Sequence, residues 1–235
     1  MTSDSPQFDE RKQQLLKIVV ESFIATAQPI GSSAIVDADM LQVSGATVRN
    51  EMRALEDMGY LTHPHTSSGR IPTEQGYTFY AENLMQPTPV PVPIKHEIEQ
   101  ILSSDDSQPK IKKVAQCIAH STGNAVLLSL PNNVTYYTGI SQLFSQPEFA
   151  AAARAIEISQ VFDHCEQNMP MLHELVVGSD VHIFVGEQNP LGKGCGLVAG
   201  RIADDHMIML LGPLRMKYAL STSLVDYIQS LFRYV

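Results

Sequence analysis

The run QPTPVPVP, residues 86–93, sets proline at every second position: Pro87, Pro89, Pro91 and Pro93. Each pyrrolidine ring fixes φ and removes a backbone donor, so the run is expected neither as a helix nor as a central strand. Extended polyproline II is the expected state, and at about 3.1 Å per residue it makes a stiff spacer of roughly 25 Å. It divides the 235-residue chain into parts of different character, expected as domains over 1–86 and 94–235 with a linker over 87–93. With 44% apolar and 17% charged residues, the chain has enough apolar material for a core in each.

Composition narrows the function classes. No run approaches the roughly 18 uncharged apolar residues of a membrane span. The opening MTSDSPQFDERKQQ is polar and acidic, which does not resemble a signal peptide. Cys117, Cys165 and Cys195 are odd in number and lack CxxC spacing. They read as small buried hydrophobes in a cytoplasmic protein rather than as disulfides. Asp163, His164, Cys165, His173 and His182 match no metal template. The glycine-rich LGKGCGLVAG lacks the Lys-Ser/Thr of a phosphate loop and reads as a hairpin turn. With no nucleophile–base pairing, neither an enzyme, a metal nor a cofactor is expected.

Before the proline run the pattern is three helices and a hairpin. Leu16, Val19 and Phe23, flanked by Leu15, Ile18 and Ile24, make an apolar stripe over a helix expected from Gln7 to Thr26. Pro29 and Gly31 break it. A short helix to Met40 is expected to be capped by Ser32 or Ser33, and a third, GATVRNEMRALEDM, by Ser44, with Gly59 as its stop. YLTHP and GRIPT read as two short strands around His65–Ser68, and a helix over Glu74–Met85 closes this part.

The third helix has the character of a reading helix for the DNA major groove. Val48, Met52 and Leu55 fall at i, i+4 and i+7 and are expected to face the core. Ser44, Gly45, Thr47, Arg49, Asn50 and Arg53 then lie on or beside the opposite face. Arg can bond guanine in bidentate fashion and Asn adenine, while Glu51 and Glu56 are expected to point away. In the hairpin His65, Thr66, Ser67, Ser68, Gly69 and Arg70 bring together phosphate and sugar ligands, and Gly69 permits close backbone approach. Plain alternatives remain: a solvated helix face and a polar turn. The charge is also adverse. The net charge is −9, and residues 1–86 carry 6 Lys plus Arg against 11 Asp plus Glu. Weak non-specific binding is therefore expected, since phosphate neutralisation supplies most of that affinity.

The stretch QPIGSSAI…VSGATVRNEMRALEDMGYLTHPHTSSGRIPTEQGYTFY resembles the winged helix-turn-helix domain of the HrcA heat-inducible repressors. GISQLFSQPEF, VGEQNP and LLGPLRMKYALSTSLVDYI resemble runs of that family's GAF-like domain. The resemblance implies a sequence-specific repressor of chaperone operons. Its partners would be an inverted-repeat DNA operator of the CIRCE type, a second copy in a homodimer, and the GroE chaperonin as modulator, with no membrane. The fold expected is α+β: the N-terminal winged helix-turn-helix domain plus a C-terminal GAF-like domain with a reduced antiparallel sheet flanked by helices. The sheet is reduced because only residues 131–138 separate Leu130 from Gly139, where the family carries an inserted dimerising domain. Strands are expected in NAVLLSL, DVHIFVG, CGLVAGRI and HMIMLLGP, with helices in KHEIEQILSS, KIKKVAQCIAHST, Pro147–Cys165 and from Tyr218. The helix Ile94–Ser103 and the closing helix, with Leu224, Ile228 and Leu231, are candidate dimer surfaces. Two other readings stay open: a winged-helix regulator of another regulon with a metabolite-binding GAF-like domain, and a module that contacts protein rather than DNA.

Overall fold

The computed structural model describes residues 8–64, 69–105, 109–132, 134–203 and 206–232. The chain divides into two units, Met1–Met85 and Gln86–Val235.

In the first unit, helix α1 spans Glu10–Thr26. Asp9 caps it, its carboxylate accepting the Lys12 N–H at 2.9 Å and so satisfying one of the orphan donors of the first turn. Leu15, Leu16, Val19 and Val20 are buried on one side. Ala27 ends the helix in the left-handed region at φ 54°. Helix α2, Ser32–Asp37, is shorter than the serines suggest, and Gly31, not Ser32 or Ser33, is its N-cap. The chain leaves it through Asp39 at φ 51°. Helix α3 spans Gly45–Asp57, with Ser44 Oγ accepting the Thr47 N–H at 3.2 Å. Gly59, at φ 83°, turns the chain away. Strands β1, Leu61–Thr62, and β2, Ile71–Pro72, pair antiparallel with Leu61 opposite Pro72. Thr73 then caps α4, Glu74–Phe79, and also donates to the Gly59 carbonyl at 2.6 Å. Helix α4 continues into a wider π turn, Tyr80–Leu84. Phe8, Tyr60 and Phe79 cluster at the unit's edge, with Phe8 stacked on Tyr60 at 4.7 Å.

In the second unit the proline-rich run gives way to helix two residues early. Helix α5 is Val92–Ser103 and accepts Pro93 in its first turn, where a missing N–H breaks no helical bond. Helix α6, Lys110–Thr122, follows. Five antiparallel strands stand in the order β4-β3-β7-β6-β5: β3 Ala125–Leu130, β4 Val134–Thr138, β5 His182–Val185, β6 Cys195–Ala203 and β7 His206–Pro213. Strand β4 is absent from the sequence expectation. Its VTYYT carries no one-sided apolar alternation, but a turn at Pro131–Asn132 folds it back on β3 in full register, from Leu130↔Val134 to Val126↔Thr138.

Helix α7, Ile140–Phe144, and a single 3-10 turn, Pro147–Phe149, lead into α8, Ala152–Leu175. The expected Pro147–Cys165 helix is thus displaced and too short. Helix α8 runs past Pro170 because Met169 and Leu172 bury into the sheet, and because Arg201 binds carbonyls at its end, Nε to Val176 at 2.7 Å and Nη2 to His173 at 2.6 Å. Helix α8 covers one face, its Ile158, Val161 and Cys165 meeting Leu127, Leu197, Ala199 and Met209. Helix α9, Tyr218–Phe232, packs on β6 from the other face, with Val225 and Gln229 against Gly200. Side chains alternate across a sheet, so covering both faces explains why Ala125–Leu128 of β3 and Met207–Leu211 of β7 are apolar at every position. Leu224 and Ile228 are fully buried within this unit, so they do not form an exposed dimer surface on α9.

Candidate nucleic-acid interface

Helix α3 is held by its inner face. Val48 and Leu55 are fully buried and Met52 nearly so, and the helix packs against α1, α2 and β1. That burial turns Arg49, Asn50 and Arg53 outward, and all three are exposed. Gly45 and Thr47 are half-buried at the N-terminal end, with Thr47 Oγ1 2.9 Å from Ser44 Oγ. The six positions taken from the sequence therefore occupy the first three turns of one helix and its cap.

Charge pairing separates the cations of the first unit. Lys12 reaches Asp9 at 2.7 Å and Glu51 at 3.2 Å. Arg11 lies 3.8 Å from Glu51, and Lys17 4.0 Å from Glu21. Arg70 binds Glu56 at 2.8 Å, and His63 bonds the other oxygen of that carboxylate. Arg49 and Arg53 have no ion-pair partner among the described residues. Thus Glu51 and Glu56 are each neutralised by cations off α3, and the helix keeps its two arginines available. The hydrogen bond to Lys12, at side chain and backbone, also holds the Asp9 carboxyl below its ordinary range.

Of the hairpin residues, His65, Thr66, Ser67 and Ser68 lie outside the described residues. Gly69 and Arg70 stand at its base. Arg70 and Ile30 exchange backbone hydrogen bonds at 2.9 and 3.1 Å. A Cβ on Gly69 would run into the Ile30 carbonyl, so glycine is needed here for closure onto the α1–α2 connection. The Arg70 side chain is half-buried and occupied by Glu56, a pairing that sequence spacing does not announce because it joins the end of α3 to the base of the hairpin.

Asp163, His164, Cys165, His173 and His182 do not converge. His164 bonds the Gln160 carbonyl, His182 that of Val177, and His173 the Ser129 hydroxyl. Among the described residues no group of three or more His, Cys, Asp and Glu is placed to hold a metal, and no helix is long and apolar enough to cross a membrane.

The family model for the HrcA protein C-terminal domain matches residues 85–221, more than half of the chain. The chain belongs to the HrcA family. It is 43% identical over 123 residues to the heat-inducible transcription repressor HrcA of Bifidobacterium animalis subsp. lactis, covering 52% of this chain and 34% of that protein. It is 43% identical to the HrcA repressor of Desulforudis audaxviator and 42% to that of Chloroflexus aurantiacus, covering 36% and 33% of those proteins. The chain thus spans about a third of the length of the curated relatives it matches. A crystal structure of a hypothetical protein shares the fold at TM-score 0.73, with 16% identity and 96% of each chain covered.

The HrcA-like runs of the second unit meet in space and act as joints. Arg215, from LLGPLRM, forms a two-pronged pair with Glu148 and bonds Gln146 Oε1 at 3.0 Å, both in the SQPEF run. Gln146 in turn donates to the Gly123 carbonyl at 3.0 Å, closing the end of α6. Asn189 of EQNP accepts from the Leu191 N–H at 3.0 Å and donates to the Cys195 carbonyl at 3.3 Å, fixing the turn into β6.

Proposed function

We propose that this HrcA-family chain is a sequence-specific DNA-binding transcription repressor of heat-inducible chaperone genes. Its first unit is a winged helix-turn-helix in which α3 enters the major groove, and its second a GAF-like regulatory and dimerising domain. The observation that carries the reading is the state of α3. Arg49, Asn50 and Arg53 project from the side opposite its buried residues. The unit's other four Lys and Arg are all engaged with carboxylates, as expected where a net-acidic unit keeps positive charge for one face. Around α3, Ser44, Gly45 and Thr47 supply contacts at the helix start, and the hairpin from His65 to Arg70 acts on the sugar-phosphate backbone. The operator is an inverted repeat of the CIRCE type read by a homodimer in the cytoplasm, with GroE as modulator; no enzymatic step is involved.

Fluorescence anisotropy with duplexes from upstream of the chaperone operons tests this. Binding to an inverted-repeat duplex at least a thousandfold tighter than to random DNA is the expected result. Equal binding to both overturns it and returns the chain to the class of protein-interaction modules. A second reading rests on a cavity of about 450 Å³ lined by Ser129, Thr135, Glu166, Gln167, Met169, Pro170 and His173, large enough for a small metabolite. A ligand-dependent rise in melting temperature would favour it.

A further inference from the structure

Helix α8 lies on the sheet mainly through apolar side chains, Ile158, Val161, Cys165 and Leu172 among them. On the β4 side of its later turns the chemistry changes. Phe162, Glu166, Pro170 and His173 follow one another at steps of four, four and three, so they make one stripe of the helix. Phe162 packs on Tyr137 with ring centroids 5.6 Å apart, which sets this stripe along β4. Beneath its second half stand Thr135 of β4 and Ser129 of β3, opposite each other in the register and therefore on the same face. Helix and strands part here around the cavity of about 450 Å³. Ser129, the one polar residue within β3, is 5% exposed, and its hydroxyl lies 2.9 Å from His173 Nε2. Glu166 has no ion pair or side-chain hydrogen bond among the described residues. Pro170 has no N–H to give the Glu166 carbonyl, so that oxygen lacks its helical donor on the wall both residues line. Among the described residues no Lys or Arg lines the cavity. Arg201, farther along the row of Ser129 and Met207, is turned to the carbonyls of His173 and Val176.

We propose that this cavity is a binding site for a small aliphatic ammonium ion, its head on the Glu166 carboxylate and its stem along Met169 and Pro170. An ammonium group brings three donors and no acceptor. The wall answers with acceptors of three kinds: the Glu166 carboxylate, the Glu166 carbonyl and the Thr135 hydroxyl. Because no cation of the chain occupies that carboxylate, a ligand's positive charge meets no competitor. An anion of the same size would face Glu166 with no fixed cation on the wall to offset it, so the same carboxylate rejects it. Met169 and Pro170 give the apolar surface that an aliphatic stem covers, and the volume lies within the range of small-molecule sites. This site deepens the metabolite reading of the cavity and does not depend on DNA binding.

Methionine-methyl NMR of the full chain, titrated with n-pentylamine and separately with 1-pentanol, tests it, with the Met169 methyl reporting from the cavity wall. The expected result is a saturable Met169 shift with pentylamine, and binding about tenfold weaker or worse both for pentanol and in Glu166→Gln. Asp163 is an exposed carboxylate on the same helix, outside the cavity. Asp163→Asn is expected to leave pentylamine binding unchanged, which separates the site from general attraction of a cation to a chain of charge −9. Pentylamine binding that Glu166→Gln leaves unaltered, or that both variants weaken equally, overturns the proposal. Pentanol binding as tightly as pentylamine overturns the ammonium and keeps the cavity as a small-molecule site. A Met169 methyl unmoved by both probes also overturns the proposal, and the wider cavity reading then rests on the melting-temperature test alone. Should Glu166→Gln fail to fold, the comparison of amine with alcohol decides.

Discussion

At the scale of single residues, the question on α3 is which side chains face out and which are already engaged. Arg49 and Asn50 are exposed and without hydrogen-bond or ion-pair partners among the described residues, so replacing either by alanine is expected to leave the fold intact. Under the repressor reading, Arg49→Ala and Asn50→Ala are each expected to cost about 1–3 kcal/mol on the operator and much less on random DNA. Equal losses on both, measured by anisotropy at fixed salt, would rule out base reading. Arg70 is a different case, because Glu56 competes with any phosphate for its guanidinium. Glu56→Gln removes that competition, and the expected outcome is a salt dependence of DNA binding steeper by about one phosphate contact. An unchanged slope would mean that Arg70 touches no phosphate.

Elements in this chain begin and end for local reasons that can be tested separately. Helix α1 stops at Ala27, which adopts φ 54° while its N–H bonds the Phe23 carbonyl at 2.8 Å. Alanine pays a steric cost in that region that glycine does not. Ala27→Gly is therefore expected to raise unfolding stability by about 1 kcal/mol, read by urea denaturation; a loss would show that Ala27 contributes packing that outweighs its backbone strain. Helix α8 makes the opposite point. Pro170 removes a helical bond, yet the helix continues because its apolar face is buried and Arg201 takes carbonyls at its end.

For the whole molecule, pH gives a direct reading of how tightly the second unit is packed. Burial pushes the Cys195 thiol up to about 12 and Cys117 to about 11, against an ordinary value of 9.0. A group whose pKa is raised by folding contributes stability that is complete below its unfolded value and is lost as pH climbs towards the folded one. Stability is thus expected to fall between pH 9 and pH 12, as unfolded thiols ionise and folded ones resist. Cys195→Ala should make that decline shallower while lowering stability uniformly at neutral pH. Parallel curves for the two proteins would show that Cys195 is not held neutral by the fold.

Much of the first unit is legible in the residues because its signals are local: a capping serine, an apolar set at i, i+4 and i+7, a glycine after the last turn. These determine α3 and its outward face without reference to anything distant. The short α2 was less legible, since serine is as ready to enter a helix start as to cap it, and Gly31 took the cap instead. What only the tertiary structure decided is pairing between segments far apart in sequence. It assigned Glu56 to Arg70, Arg215 to Glu148 and Gln146, and Ser129 to His173, none of which leaves a periodic trace. It also made a strand of VTYYT, whose alternation names no buried face, because β3 offered a free edge and the turn at Asn132 brought the segment back in register. The same asymmetry explains why apolar residues at helical spacing identified α9 but not its role. Periodicity reports that a face will be buried, while only the assembled sheet determines whether its own chain or another buries it.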